Sequence, residues 1–358
     1  MASIGDYLRH LVDRGGSDVH LKAGGPAFIR VAGELEEVAE LPALEAEDTA
    51  RFAEQVMEQS AIDRVVRGGE ADFAVSVRGV GRFRAAVFRQ RGAIGMVLRA
   101  VQPETVDIPS LGLPPAVRAM AEEQRGLVLV TGPTGSGKTT TTAAMLGHIN
   151  STRRCHIVTI EDPIEILHED RQALIDQREV GIDTDTFATA LRAVSRQDPD
   201  VIFIGEMRDL ETVGAALQAA ETGHLVLSTL HTNDATETVN RIIDLHPPHQ
   251  QHQARLALAN VLRGVVSQRL LPGQREGRVP AVETLVTTTR VREFLIDADK
   301  TDQIPDAIAE GSYYGMQTFD QHLLELYREG RVALRDAMRA STSPHDFRIA
   351  VRAAGLAA

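Results

Sequence analysis

The 358-residue chain has one cysteine, no tryptophan, an aromatic content of 4% and no excess of basic residues. Cys155 alone can build neither a disulfide framework nor a cysteine-rich zinc module, since each needs several thiols. A reducing compartment such as the cytosol is the expectation. So few aromatics leave little for unpaired bases to stack on. Lys+Arg 38 against Asp+Glu 50 gives a net charge of −12, which runs against a protein whose main task is gripping nucleic-acid backbones. No apolar run reaches the roughly 18 residues of a membrane span, and the first residues, MASIGDYLRHLVDRGG, lack a signal-peptide core. Peripheral docking on a membrane stays open; crossing one does not.

What is present fits a soluble α/β protein of two domains, at roughly 150 residues each. Residues 1–102 read as an α+β module, with strands at Ala27 to Val31 and Phe73 to Val77 and an amphipathic helix from Ala46 to Gln59. Pro103, Pro109, Gly112, Pro114 and Pro115 mark a linker over residues 103–117. Over 118–288, the apolar runs GLVLVTG, HIVTIED, DVIFIGE and HLVLSTL alternate with helical patterns, which predicts a mainly parallel sheet covered on both faces. Residues 289–358 read as a helical tail punctuated by Gly311, Gly315 and Gly330.

The most specific chemistry lies in Gly132-Pro133-Thr134-Gly135-Ser136-Gly137-Lys138-Thr139, followed by Thr140. It fits G-x-x-x-x-G-K-[ST] and sits after a predicted strand and before a predicted helix, where a phosphate-binding loop must sit. The glycines let backbone N–H groups close around phosphates, Lys138 neutralises β/γ charge, and the Thr139 hydroxyl suits Mg²⁺. ATP with Mg²⁺ is therefore the expected ligand pair. Such a loop does not by itself say which task the nucleotide powers.

Acidic residues follow two other strands. Glu161, Asp162 and Glu165 come after HIVTI, and Glu206 ends DVIFIGE, with Gly205 where many P-loop enzymes carry aspartate. Metal contact then falls to Glu206, through water, or to the Glu161 and Asp162 pair, whose plain alternative is a solvated strand end. A third strand is bracketed by His224 and His231; a histidine after such a strand can reach a γ-phosphate, whereas an isolated histidine is commonly structural.

The run GPTGSGKTT, TIEDPIE, DPDVIFIGEMRDLET and TGHLVLSTLHT, in that order, resembles the Walker A, Asp, Walker B and His boxes of the secretion ATPase superfamily of type II secretion and type IV pili. SDVHLKAGGPAFIRVAGEL and GMQTFDQHLLELYREGRV are similar to its PilT-like, pilus retraction branch, so the likeness spans nearly the whole chain. The resemblance implies a PAS-like N-terminal domain joined to a RecA-like P-loop ATPase domain, and a homo-hexamer. It also implies docking, from the cytoplasmic side, on an inner-membrane platform protein (PilC-like) at a pilus base. By the same likeness Glu165 activates the attacking water, Glu206 orients Mg²⁺, His231 senses the γ-phosphate and His224 supports its strand and the neighbouring nucleotide contact.

Between Arg78 and Arg99 stand six arginines and no acid, an inversion in so acidic a chain. A negative partner or a solvated hairpin face would each account for it. The resemblance assigns Arg84 and Arg99 to phosphate-contacting fingers directed at a neighbouring subunit's nucleotide, a task guanidinium geometry suits. Two readings compete with retraction. Assembly or type II secretion relatives carry a tetracysteine zinc insertion that one cysteine cannot supply. A RecA-like nucleic-acid translocase is opposed by charge and by sparse aromatics. The stretch Thr289 to Ile296 resembles the family's AIRNLI-type helix, with glutamate at 293 in place of asparagine.

Overall fold

The computed structural model describes residues 2–356 apart from 32, 58, 104–106 and 276. Residues 104–106 of the sequence-assigned linker therefore lie outside the described residues. The chain divides into two compact units, Met1–Pro103 and Glu104–Ala358.

In the first unit every strand pairing is antiparallel. The order is Glu34–Glu37, Phe28–Val31, Asp18–Lys22, Ala93–Ala100, Gly81–Gln90 and Ala71–Val77. Helix Ile4–Asp13 forms because Tyr7, Leu8 and Leu11 recur on one face while Ser3 and Asp6 cap its start reciprocally. That face joins Phe52, Phe83, Met96 and Leu98 in one core. The helix expected over Ala46 to Gln59 stops at Val56, because Met57 takes an extended backbone (φ −101°, ψ 143°), and a separate helix covers Gln59–Val66.

The second unit carries a seven-stranded sheet in the order Leu174–Glu179, His156–Glu161, Val201–Ile204, Leu225–Leu230, Gly126–Thr131, Leu262–Pro272 and Arg278–Val286. Six strands run parallel, and the last pairs antiparallel with its neighbour. Gly126–Thr131 and Leu225–Leu230 are buried along their whole length, with separate apolar cores on the two faces of the sheet. This is why they read as unbroken apolar runs rather than alternating ones. After Thr289, helices Thr289–Ile296, Ile304–Glu310, Phe319–Arg328, Leu334–Ala340 and Pro344–Ala353 belong to this unit. The last three pack with Leu271, Val279 and Ala281 of the terminal hairpin. Helix Thr289–Ile296 buries Val291, Phe294 and Leu295, so the departure at Glu293 falls on its exposed side. Among the described residues no helix is long and apolar enough to cross a membrane.

Candidate active site

In a parallel sheet all strand carboxyl ends lie on one edge, and residues just beyond them converge. Strand Gly126–Thr131 leads into the glycine-rich loop, His156–Glu161 into Asp162 and Glu165, Val201–Ile204 into Glu206, and Leu225–Leu230 into His231. Together they line a cavity of about 800 Å³ with Thr134, Gly135, Gly137, Lys138, Thr139, Thr140 and Glu161. A second cavity of about 510 Å³ shares Gly137, Thr140, Leu270 and Arg278 with it.

The loop is shaped by strand Leu262–Pro272. Gly132 has φ +146°, and a Cβ there would lie 2.4 Å from the Gln268 carbonyl; Gly137 has φ +92°, and its Cβ would meet Gln268 Nε2 at 2.7 Å. Only glycine fits either position. The following helix, Lys138–Thr152, starts with no side-chain cap and no acid in its first turn, which leaves its N–H groups facing the loop. Lys138, almost fully buried, donates from Nζ to the Gly132 and Pro133 carbonyls at 2.8 and 3.0 Å. Burial pulls its ammonium below the usual range, against the opposing pull of Glu206 and Glu165.

Glu206 pairs with Arg208, and its buried Oε2 has no hydrogen-bond donor while His231 Nε2 stands 3.4 Å away. The buried hydroxyl of Ser136 also lacks a partner. A nucleoside triphosphate fits this donor set: uncapped helix N–H groups and the Lys138 ammonium converge on one cavity. Thr139, exposed at its rim, and Glu206 are the side chains placed to meet a cation carried in on the phosphates.

The expectation for His224 is revised. His224 lies at the opposite end of its strand from His231, where its Nδ1 meets the Ala219 carbonyl at 2.9 Å and Thr222 Oγ1 at 3.1 Å. A six-residue strand separates it from the cavity of its own chain, so it acts as a turn anchor there. Glu161 is not a solvated strand end. Its Oε1 accepts from Thr159 Oγ1 at 2.6 Å and Gln177 Nε2 at 3.1 Å, the Glu165 backbone N–H adds to these, and burial pushes its carboxyl up to about 7. Asp162 remains exposed at the cavity. Arg84 and Arg99 belong to the first unit and sit directly opposite each other on neighbouring strands. Arg99 Nε donates to the buried Asp18 carboxylate at 2.7 Å. Burial works to raise that carboxyl, but hydrogen bonds from Ser17 and Arg99 outweigh it and hold Asp18 low.

Sequence reasoning missed Gln268, Arg208 and Arg278. Arg208 was visible as a basic residue beside Glu206, whereas nothing local marked Gln268 or Arg278 as neighbours of the loop.

The segment after His231 is braced from the terminal hairpin: Glu283 Oε1 accepts the Ala235 N–H at 2.9 Å, where helix Ala235–Asp244 begins. Burial pushes the Glu283 carboxyl up to about 7 from the usual 4.5. The folded state therefore keeps a proton that the unfolded chain has released, and stability falls as pH rises through that window. Glu283→Gln keeps an acceptor and cannot ionise. Its melting temperature relative to wild type is expected to climb between about pH 4.5 and 7 and then level off, for a gain on the order of 2–3 kcal/mol.

Residues 2–291 match the family described as type II/IV secretion system protein. The chain belongs to that family. It is 42% identical over 344 residues to the type IV pilus retraction ATPase PilT of Pseudomonas aeruginosa, covering 96% of this chain and 99% of that one. Identity to a twitching motility protein of Neisseria gonorrhoeae is 43% over 313 residues, covering 87% and 83%. Among solved structures, the pilus retraction motor PilT with bound ADP superposes with a TM-score of 0.89 at 46% identity, covering 97% of this chain and 99% of that one.

Proposed function

We propose that the chain hydrolyses ATP to drive type IV pilus retraction. The observation that carries this is the convergence of Lys138, Glu165, Glu206 and His231 from four strand ends onto one cavity, in a chain that matches a pilus retraction ATPase over nearly its full length. Lys138 and the N–H groups of the loop hold the phosphates. Glu165, exposed between the buried Ile164 and Ile166, is placed to orient and deprotonate water. Glu206, steadied by Arg208, faces the cation, and His231 reports the terminal phosphate. Bound Mg²⁺ would offset charge on the phosphate oxygens. Among the described residues no group of three or more His, Cys, Asp or Glu could hold a metal ion. That is consistent with an ion held through nucleotide oxygens and one or two protein ligands.

In this reading the first unit is a PAS-like domain and the second a RecA-like ATPase domain, assembled as a homo-hexamer. Arg84 and Arg99 are carried on one sheet face toward a neighbouring subunit's nucleotide. Closing and reopening at each subunit boundary turns hydrolysis into rotation. The rotation is passed to a PilC-like platform protein on the cytoplasmic side of the inner membrane. Phosphate release by the purified chain, with mass measurement in the presence and absence of an ATP analogue, tests the enzymatic and oligomeric parts. Mg²⁺-dependent release from a six-subunit species is expected; a monomer without turnover would refute both.

A further inference from the structure

The loop carrying Glu165 is held by two side chains of one edge strand, Leu174–Glu179. On the near side of Glu165, the Ile164 N–H donates to Glu179 Oε2 at 3.1 Å. On the far side, Gln177 Nε2 donates to the Ile166 carbonyl at 2.9 Å, and the His168 N–H donates to Gln177 Oε1 at 2.8 Å. The same Nε2 also donates to Glu161 Oε1 at 3.1 Å, and Glu161 in turn engages the backbone N–H of Glu165 itself. Ile164 and Ile166 are buried while Glu165 between them is exposed, so the loop is anchored on both sides and presents one carboxylate to the cavity.

We infer that Gln177 is a positioning residue for Glu165: its amide ties Glu161 and two loop backbone groups together, so that the Glu165 carboxylate is fixed in register with the phosphate loop. The amide suits this place because it donates and accepts at once. A carboxylate would accept from His168 but could donate to neither Ile166 nor Glu161. The side-chain hydrogen bonds of Gln177 run to Glu161, Ile166 and His168 and not to the phosphate loop, so its loss should act on turnover and not on nucleotide affinity. The inference rests on the reading of Glu165 as the group that activates water.

The test uses the full chain with Gln177→Ala and the isosteric Gln177→Glu, which keeps the His168 contact and the shape of the side chain. Both are expected to lower kcat about 10- to 100-fold, the cost of misplacing a reacting group by an ångström or so. Affinity for a fluorescent ATP analogue should change by less than about threefold, because the loop and Lys138 are untouched. In a Glu165→Gln background, Gln177→Glu should cause no further loss, since the group it positions is already gone. A general structural role would instead lower the rate in both backgrounds. Wild-type kcat in the folded Gln177→Glu protein overturns the inference, as does an undiminished additional loss in the double variant. Wild-type kcat in Glu165→Gln alone would overturn the underlying assignment instead.

Discussion

Lys138→Ala is expected to lower kcat/KM for ATP by about 10²- to 10³-fold or more, with nucleotide affinity falling alongside turnover. The lysine is almost fully buried and donates to two carbonyls of its own loop, so its ammonium is already aimed at the centre of the turn. Burial has lowered its proton affinity, yet Glu206 and Glu165 favour the charged form. Alanine removes the one formal positive charge of the loop while leaving the backbone N–H groups, and those alone do not balance several phosphate charges. Equilibrium binding of a fluorescent ATP analogue, together with phosphate release, checks this. Unchanged affinity and rate would show that the cavity is not the nucleotide site.

Glu165→Gln should separate the two quantities that Lys138→Ala moves together. Removing a group that takes a proton in the transition state costs roughly 10²- to 10⁴-fold in kcat, while the phosphate-gripping residues stay in place and affinity holds. Glu206→Gln should behave differently. Its carboxylate is close to His231 and is paired with Arg208, a setting suited to fixing charge around a cation. Its loss is expected to raise the Mg²⁺ requirement as well as lower the rate. The reverse pattern, with Glu206→Gln losing turnover at constant Mg²⁺ dependence and Glu165→Gln losing Mg²⁺ affinity, would exchange the two roles. Measuring kcat and KM for ATP across a Mg²⁺ series decides between them.

The parts of the site that were legible in the sequence are those where chemistry restricts residue type locally. A phosphate loop needs glycine at fixed offsets and a lysine at the helix start, and the apolar runs ahead of each acidic or histidine box mark buried parallel strands. The end of helix Ala46–Val56 at Met57 is a backbone event that no apolar pattern announces. Strand Leu174–Glu179 escaped because it is an edge strand with the polar run Asp176, Gln177 and Arg178, of which Gln177 bonds the Asp-box loop, exposed Asp176 meets His156 and Arg178 donates to the Asp183 carbonyl. The Leu262–Pro272 strand was hidden for another reason. Helix Gln251–Val261 passes into it with no turn residue between, and Gly264, Ser267 and Gln268 break its apolar character. Those polar positions are the ones that pack beneath the phosphate loop: Thr131 Oγ1 donates to Ser267 Oγ at 3.0 Å and Thr141 Oγ1 to Gln268 Oε1 at 2.8 Å. Spacing places Glu161 at a strand end but cannot show Gln177 and Thr159 closing over it. Arg84 and Arg99, fifteen positions apart in sequence, gain their direct pairing only from the register of a hairpin.

The measurement that bears most directly on the central claim is the surface piliation of a strain lacking this gene, complemented with wild type or with Lys138→Ala. A retraction motor predicts excess surface pili and lost twitching in the deletion, both reversed by wild type and not by Lys138→Ala. A deletion strain bearing no surface pili would contradict it and assign the chain to assembly instead.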